Sequence, residues 1–248
     1  MIEYCINSLC NAGLLLLYGI VPWLIAALIL QVISNSVRTS LARMCGIKTY
    51  IYATFPGVML HELSHAFFCI VFRHKIVEMK LFSPEEDGTL GYVNHQYNPK
   101  SVYQRAGNFF IGTGPIWGGV AAIVFLTHLL LPQLTGNREE IIQMISTFDF
   151  WKSYKPWLWL YCTFTAFSHM TLSPPDLRGA ADGLVMLITV TALSCLAFGW
   201  YGEWEIRLLE WMKLFQERLL PIFGTFIMIS LAVAGILIII RPKERENP

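Results

Sequence analysis

The chain has 248 residues, of which 55% are hydrophobic and only 14% are charged, and its mean hydropathy is +0.51. A soluble domain needs about 25% charged residues, so a lipid bilayer is the expected solvent. The 18 Lys and Arg residues nearly balance the 17 Asp and Glu residues, and the absence of a basic tract argues against binding nucleic acid. The six cysteines are scattered and indicate neither a disulfide framework nor a zinc ribbon.

Six stretches are apolar and long enough to be predicted as membrane spans, each of which needs about 20 apolar residues. They cover residues 13–33, 51–72, 109–131, 157–172, 184–200 and 219–240. The first is predicted to be a retained anchor, because no basic segment precedes it as in a cleavable signal peptide. The sequence therefore predicts an all-α, multi-pass protein of the cell membrane, with a single domain over residues 1–248. Lys and Arg divide equally between the two sets of loops, so the orientation stays open.

The connections between the spans contain three further predicted elements. The longest, residues 73–108, has two strand-like runs, 76–82 and 89–97, and predicts a β-hairpin at the membrane surface between the second and third spans. Residues 137–148 predict a short helix capped by its first residue, an asparagine. Residues 203–218 place large apolar side chains on one face, which is typical of an interfacial helix.

An ionisable cluster interrupts the second span, where charge is expensive and usually functional. It consists of His61, Glu62 and His65, in the pattern H-E-x-x-H. On a helix the two histidines share one face and can bind one Zn²⁺, while Glu62 is placed as a general base rather than a ligand. In the alternative interpretation, the two histidines only form hydrogen bonds to neighbouring helices. That interpretation does not explain the carboxylate of Glu62, which has no Lys or Arg within ten residues in the sequence.

A catalytic zinc site needs a third protein ligand and an open fourth position. Asp176 is the preferred candidate, because the two prolines before it are expected to prevent regular helix, a break tolerated at membrane depth only beside protein or a water-filled cavity. Asp182, which precedes Gly183, is the alternative ligand, and it could instead cap the fifth membrane helix. His169 is expected to bond to a neighbouring helix rather than to the metal.

Three segments together resemble the site-2 protease family of intramembrane zinc metalloproteases. They are the run Pro56-Gly-Val-Met-Leu-His-Glu-Leu-Ser-His-Ala, the run Gly112-Thr-Gly-Pro-Ile-Trp-Gly-Gly, and the proline-broken segment that ends at Asp176. The family usually has an Asn-x-x-Pro stretch eight residues before an Asp-Gly pair. Here Ser168 and Thr171 replace that Asn and Pro, and the Asp-Gly pair falls at Asp182. These departures from the family pattern indicate a divergent member.

The resemblance implies a core of three spans around one Zn²⁺ per chain, with His61, His65 and Asp176 as ligands and Glu62 as the catalytic base. It implies hydrolysis of peptide bonds in or near transmembrane segments of membrane proteins, as in regulated intramembrane proteolysis. The expected partners are the lipid bilayer, a transmembrane substrate and a regulatory membrane protein. The predicted hairpin could hold an extended substrate by pairing with it at a strand edge.

Two other interpretations remain open. A membrane protease of the gluzincin type would take its third ligand from a downstream glutamate, for which Glu203 and Glu205 are the candidates. A non-catalytic membrane protein, whether a pseudoprotease or a metal-binding receptor, is the other alternative, although binding alone gives no reason for Glu62.

Overall fold

The computed structural model describes residues 2–135, 137–198 and 204–217, together with residues 231 and 235. These residues are mostly helical and include one two-stranded antiparallel sheet. In chain order the elements are α1 (Ile2–Cys45), α2 (Ile47–Ala53), α3 (Phe55–Val71), β1 (Lys75–Lys80), β2 (Tyr92–Gln96), α4 (Val102–Gly112), α5 (Gly114–Leu130), α6 (Arg138–Ile145), α7 (Phe148–Lys152), α8 (Tyr154–Ser168) and α9 (Pro174–Phe198). A short 3-10 helix precedes α6, and residues 204–217 are also helical.

Two helices of the described chain, α1 with 44 residues and α9 with 25, are long and apolar enough to cross a membrane. Two bent pairs, α2 with α3 and α4 with α5, pass the same test when each pair is taken as one span. The described residues thus contain two to four candidate spans. The predicted count of six is not confirmed: α8, on the predicted fourth span, has only 15 residues. Only residues 231 and 235 of the predicted sixth span are described.

Both bent pairs break at a threonine followed closely by a proline, and both bend by 61°. Thr54 Oγ1 donates to the carbonyl of Tyr50, and Thr113 Oγ1 donates to the carbonyl of Phe109, each four residues back. Such bonds compete with the helical pattern, and the prolines that follow in α3 and α5 cannot continue the preceding helix. The second and third predicted spans are therefore broken rather than straight.

The outer surface of the helices is apolar. Val32, Ile70, Phe125 and Leu193 are each more than half exposed, and they come from four different helices. A soluble monomer rarely leaves so much apolar surface in contact with water, whereas lipid chains cover it without cost. The composition, the long apolar helices and this surface together indicate membrane association.

The interior of the bundle joins α1 to α5, α8 and the segment before α9. Leu30 of α1 is 1% exposed, and it belongs to one buried cluster with Ile116 of α5, Phe167 of α8 and Leu172. Helix α3 packs against α5 and α8, and α4 packs against α9. The first helix is thus part of the core that surrounds the ionisable cluster, in addition to its predicted role as an anchor.

The predicted β-hairpin is confirmed. Strand β1 pairs antiparallel with β2, with Met79 opposite Val93 and an irregularity in the register between Ile76 and Glu78. The predicted helix after Asn137 is also confirmed, because the Asn137 side chain accepts a hydrogen bond from the backbone N–H of Glu140 at the start of α6.

Candidate metal centre

Helix α3 presents His61 and His65 on one face, as their four-residue spacing predicts. Their Nε2 atoms are 3.1 Å apart, and their ring centroids are 4.8 Å apart. Glu62 lies beside His61 in the same turn and is buried, with 7% of its surface exposed. The three residues of the sequence motif are therefore together at the inner face of the helix.

Backbone carbonyls from two other helices fix the orientation of both rings. His61 Nδ1 donates to the carbonyl of His169 at the end of α8, over 2.7 Å, and His65 Nδ1 donates to the carbonyl of Ile111 near the end of α4, also over 2.7 Å. A carbonyl can only accept, so both rings carry their hydrogen on Nδ1 when neutral. Both Nε2 lone pairs then face each other, an arrangement that repels unless a proton or a cation lies between them.

Asp176 supplies a carboxylate to the same place from the first turn of α9. Its Oδ1 is 3.3 Å from His65 Nε2, and its Oδ2 is 3.9 Å from His61 Nε2. Ser173 holds this carboxylate, because its backbone N–H and its hydroxyl both donate to Asp176 Oδ2, over 2.8 and 2.6 Å. The expected break in the helix is present between α8 and α9, but the expectation that it includes the prolines and Asp176 is wrong. Helix α9 begins at Pro174, because the first residue of a helix needs no backbone N–H.

The three side chains fit a metal ion. One ligand atom from each of His61, His65 and Asp176 lies within 4.8 Å of the others. Atoms bound to one tetrahedral Zn²⁺ at about 2.0 to 2.2 Å would lie about 3.3 to 3.6 Å apart. The distances of 3.1 Å between the two Nε2 atoms and 3.3 Å from His65 to Asp176 are close to this range, whereas His61 is 3.9 Å from the other oxygen of Asp176. Carbonyl groups already orient both imidazoles, as is usual for metal-binding histidines. The group could therefore hold a metal ion.

The irregular segment between α8 and α9 is held by α1. Leu172 donates its backbone N–H to Gln31 Oε1 over 2.8 Å, and its carbonyl accepts from Gln31 Nε2 over 3.1 Å. Ser34, one turn along α1, donates to the carbonyl of Phe167. These bonds satisfy backbone groups of the irregular segment that would otherwise be unpaired. The His169 side chain bonds to Thr54 in the break before α3, as predicted for a histidine that contacts a neighbouring helix.

Asp182, the alternative third ligand, lies two turns further along α9 and belongs to a different cluster. Arg105 of α4 donates to its carboxylate from Nη2 over 2.8 Å and from Nε over 3.2 Å. Asn108 and Tyr97 also donate to it. Asp182 is in the interior of α9, so it does not cap that helix, and it is not in the group that could hold a metal. Its carboxylate instead ties α9 to α4 and to the hairpin.

The two glutamates of the alternative protease type differ in placement. Glu203 lies outside the described residues. Glu205 is buried and accepts a hydrogen bond from Asn11 of α1 over 2.6 Å. Cys195, near the C-terminal end of α9, lies beside Glu205. Glu205 is not part of the group around His61.

A cavity of about 880 Å³ adjoins the three candidate ligands. Its wall includes His61, Glu62, His65 and Asp176, residues of the hairpin and its loop, and the start of α9. Gly91 approaches Glu62 so closely that a Cβ atom there would lie 2.8 Å from Glu62 Cγ. The hairpin thus forms one side of the cavity, and Gly91 packs directly against Glu62.

Glycines allow the helices around the site to approach closely. A Cβ atom on Gly118 of α5 would collide with the Ser64 side chain, and one on Gly114 would crowd the Ser64 backbone. A Cβ atom on Gly112 would collide with the carbonyl of Asp176. Gly114 and Gly118, which are four residues apart on α5, thus allow this helix to pack closely against α3.

Sequence reasoning missed several residues that support the site. Ser173 could have been found, because Ser-x-x-Asp is the pattern in which a serine and an acidic residue cap a helix start together. Gln31 had a weaker signal, as the one amide side chain within the first apolar stretch. The carbonyls of Ile111 and His169 had none, because backbone groups leave no trace in side-chain patterns.

The described part of the chain is thus mostly helical, has two to four candidate membrane spans, and brings His61, His65 and Asp176 together next to Glu62. In the comparisons with known proteins, no family model, no curated protein and no solved structure matches the chain.

Proposed function

We propose that the chain is an intramembrane zinc metalloprotease, a divergent member of the site-2 protease family. It would hydrolyse peptide bonds in or near transmembrane segments of membrane-protein substrates. One observation carries the proposal: the Nε2 lone pairs of His61 and His65 converge with the Asp176 carboxylate, while Glu62 lies beside them without being part of the ligand group. A purely structural histidine pair would not need this fourth residue at the wall of a cavity.

The residues have separate tasks in this proposal. His61, His65 and Asp176 hold one Zn²⁺, which supplies Lewis acidity and lowers the pKa of water when it is bound. Glu62 accepts a proton from the attacking water and then delivers it to the leaving amine. Ser173 and the carbonyls of Ile111 and His169 keep the ligand side chains oriented, so little reorganisation is needed during the reaction.

The arrangement of the helices supports a core of three spans around the metal. The bent pair that ends in α3 carries two ligands, and the bent pair that ends in α5 packs against it. Helix α8 and the start of α9 form the third part and carry Asp176. A multi-pass arrangement of six spans, with the site at membrane depth, belongs to this proposal.

The hairpin suggests how a substrate is held. The sheet has two strands, so each strand has one edge with no partner strand among the described residues. A transmembrane helix hides its backbone carbonyls and must unwind before a peptide bond can be attacked. An unwound segment could pair with the free edge of the hairpin and enter the cavity that the hairpin lines.

The zinc content of the purified protein tests this proposal without knowledge of the substrate. The comparison uses the wild type, Asp176→Ala and, as a matched aspartate variant on the same helix, Asp182→Ala. We expect about one zinc per wild-type chain, its loss in Asp176→Ala, and its retention in Asp182→Ala. Glu62→Gln should keep the metal and lose peptide-bond cleavage of a transmembrane reporter.

Other results would redirect the proposal. Selective loss of zinc in Asp182→Ala would move the third ligand to that residue and retain the protease. Zinc retained in both aspartate variants would point to a glutamate ligand. A wild-type protein that stays metal-free when zinc is supplied, or a Glu62→Gln variant as active as the wild type, would refute the catalytic mechanism.

A further inference from the structure

A second histidine pair, His74 and His95, lies at the base of the hairpin. His74 directly precedes β1, is buried, and its Nδ1 is 3.0 Å from His95 Nδ1 on β2. Its Nε2 is 2.8 Å from the carbonyl of Gln104 in α4. Tyr97 stacks on the His74 ring with centroids 5.0 Å apart. The proposed mechanism uses neither histidine.

The polarity of this chain of hydrogen bonds is fixed at one end. The Gln104 carbonyl can only accept, so His74 must donate from Nε2, and a neutral His74 then accepts at Nδ1. His95 therefore donates from Nδ1 to His74 and keeps a lone pair on its own Nε2. Burial, together with the nearby His74 and His65, lowers the pKa of His95 to about 4, so this ring is neutral near pH 7.

The same side chain forms part of the cavity that contains the candidate metal ligands. His95 lines it from the hairpin, whereas His61, Glu62 and His65 line it from α3. No hydrogen bond from another described residue reaches His95 Nε2. A half-buried acceptor without a donor in a cavity wall is a group that a bound molecule can satisfy.

We propose that His95 is a substrate-binding residue whose Nε2 accepts a hydrogen bond from a backbone N–H of the polypeptide in the cavity. This inference rests on the proposed protease function. His74 is the positioning residue, because its bond to the Gln104 carbonyl determines which nitrogen of His95 is free. An unwound transmembrane segment has unpaired N–H groups, and in a dry environment each needs an acceptor. The recognised feature is thus the unwound backbone rather than a particular side chain.

A peptidyl hydroxamate and its singly N-methylated analogues test this inference on the zinc-loaded, full-length protein. N-methylation removes one N–H at a time, and the dissociation constant of each analogue is measured. In the wild type we expect methylation at one position to weaken binding by about five- to tenfold, the effect of one hydrogen bond. In His95→Phe the parent compound should bind about five- to tenfold more weakly, and methylation at that position should have no further effect.

Controls separate this role from a structural one. His95→Gln, whose amide oxygen can accept a hydrogen bond, should recover part of the affinity. His128→Phe changes an exposed histidine of α5 and should behave as the wild type. Zinc content should be equal in all variants.

If the methylation penalty in His95→Phe equals that in the wild type, the inference is wrong while the protease proposal stands. A zinc-loaded wild type that does not bind the hydroxamate would overturn both.

Discussion

Gln31 provides a test of how the proposed third ligand, Asp176, is held in place. Its amide makes two hydrogen bonds to the backbone of Leu172, which is 5% exposed and lies four residues before Asp176. Gln31→Met keeps the length of the side chain and removes both bonds. We expect this substitution to weaken zinc binding, although Gln31 is on a helix that carries no ligand.

The size of the effect follows from the two bonds. Each contributes about 1 kcal/mol, so their loss costs about 2 kcal/mol, and leaving both buried backbone groups unpaired would cost more. If the cost falls on the arrangement that binds metal, about 2 kcal/mol corresponds to about a thirtyfold rise in the Kd for zinc. Losing residues that orient a metal ligand usually weakens binding by about 10- to 100-fold, which brackets this value.

Competition with a chelator in detergent or in nanodiscs measures the Kd directly. Gln143→Met is the matched control, because Gln143 is an exposed residue of α6 away from the cavity. It should bind zinc like the wild type. A folded Gln31→Met protein whose zinc affinity equals that of the wild type would refute the claim that α1 positions the third ligand.

Two further predictions concern stability. A Cβ atom on Gly183 would collide with the Phe109 backbone, so Gly183→Ala should lower the free energy of unfolding by about 1 to 3 kcal/mol. Gly179→Ala is the control, because Gly179 lies on the same helix with open space around it. Equal melting temperatures of the two variants would contradict this packing. Burial and the nearby His74 lower the pKa of His95 to about 4, so the folded hairpin binds fewer protons than the unfolded one. The stability of the hairpin should therefore fall as the pH falls from about 6.5 towards 4. Hydrogen exchange of the β2 amides at about pH 7 and pH 5 measures this, and His95→Gln should reduce the difference; protection independent of pH in the wild type would show that the ring is already charged.

The sequence was most informative where the chemistry is local. The spacing of His61 and His65 predicted their common face, because the period of a helix is fixed. Two strand-like runs on either side of a turn predicted the hairpin, and the side chain of Asn137 predicted the start of α6. Each of these features depends on residues a few positions apart.

Features that depend on distant contacts were harder to predict. Hydropathy averages over a window, so it assigned one span where a threonine and a proline bend the helix by 61°. The two prolines before Asp176 were taken as helix breakers, although at the first turn they start α9. The role of Asp182 was open because its partner, Arg105, is 77 positions away in the chain.

The serine that caps α9 also has a consequence for metal selectivity. Asp176 Oδ2 already accepts two hydrogen bonds from Ser173, so the carboxylate offers a cation one free oxygen and should bind in monodentate fashion. Calcium needs six to eight oxygen ligands and favours bidentate carboxylates, and magnesium favours an octahedron of oxygens. Two imidazoles with one oxygen suit a borderline ion with a small coordination number, and three ligands leave a tetrahedral zinc one position for a reacting molecule. A capping bond at the start of a helix thus helps to select which metal can bind.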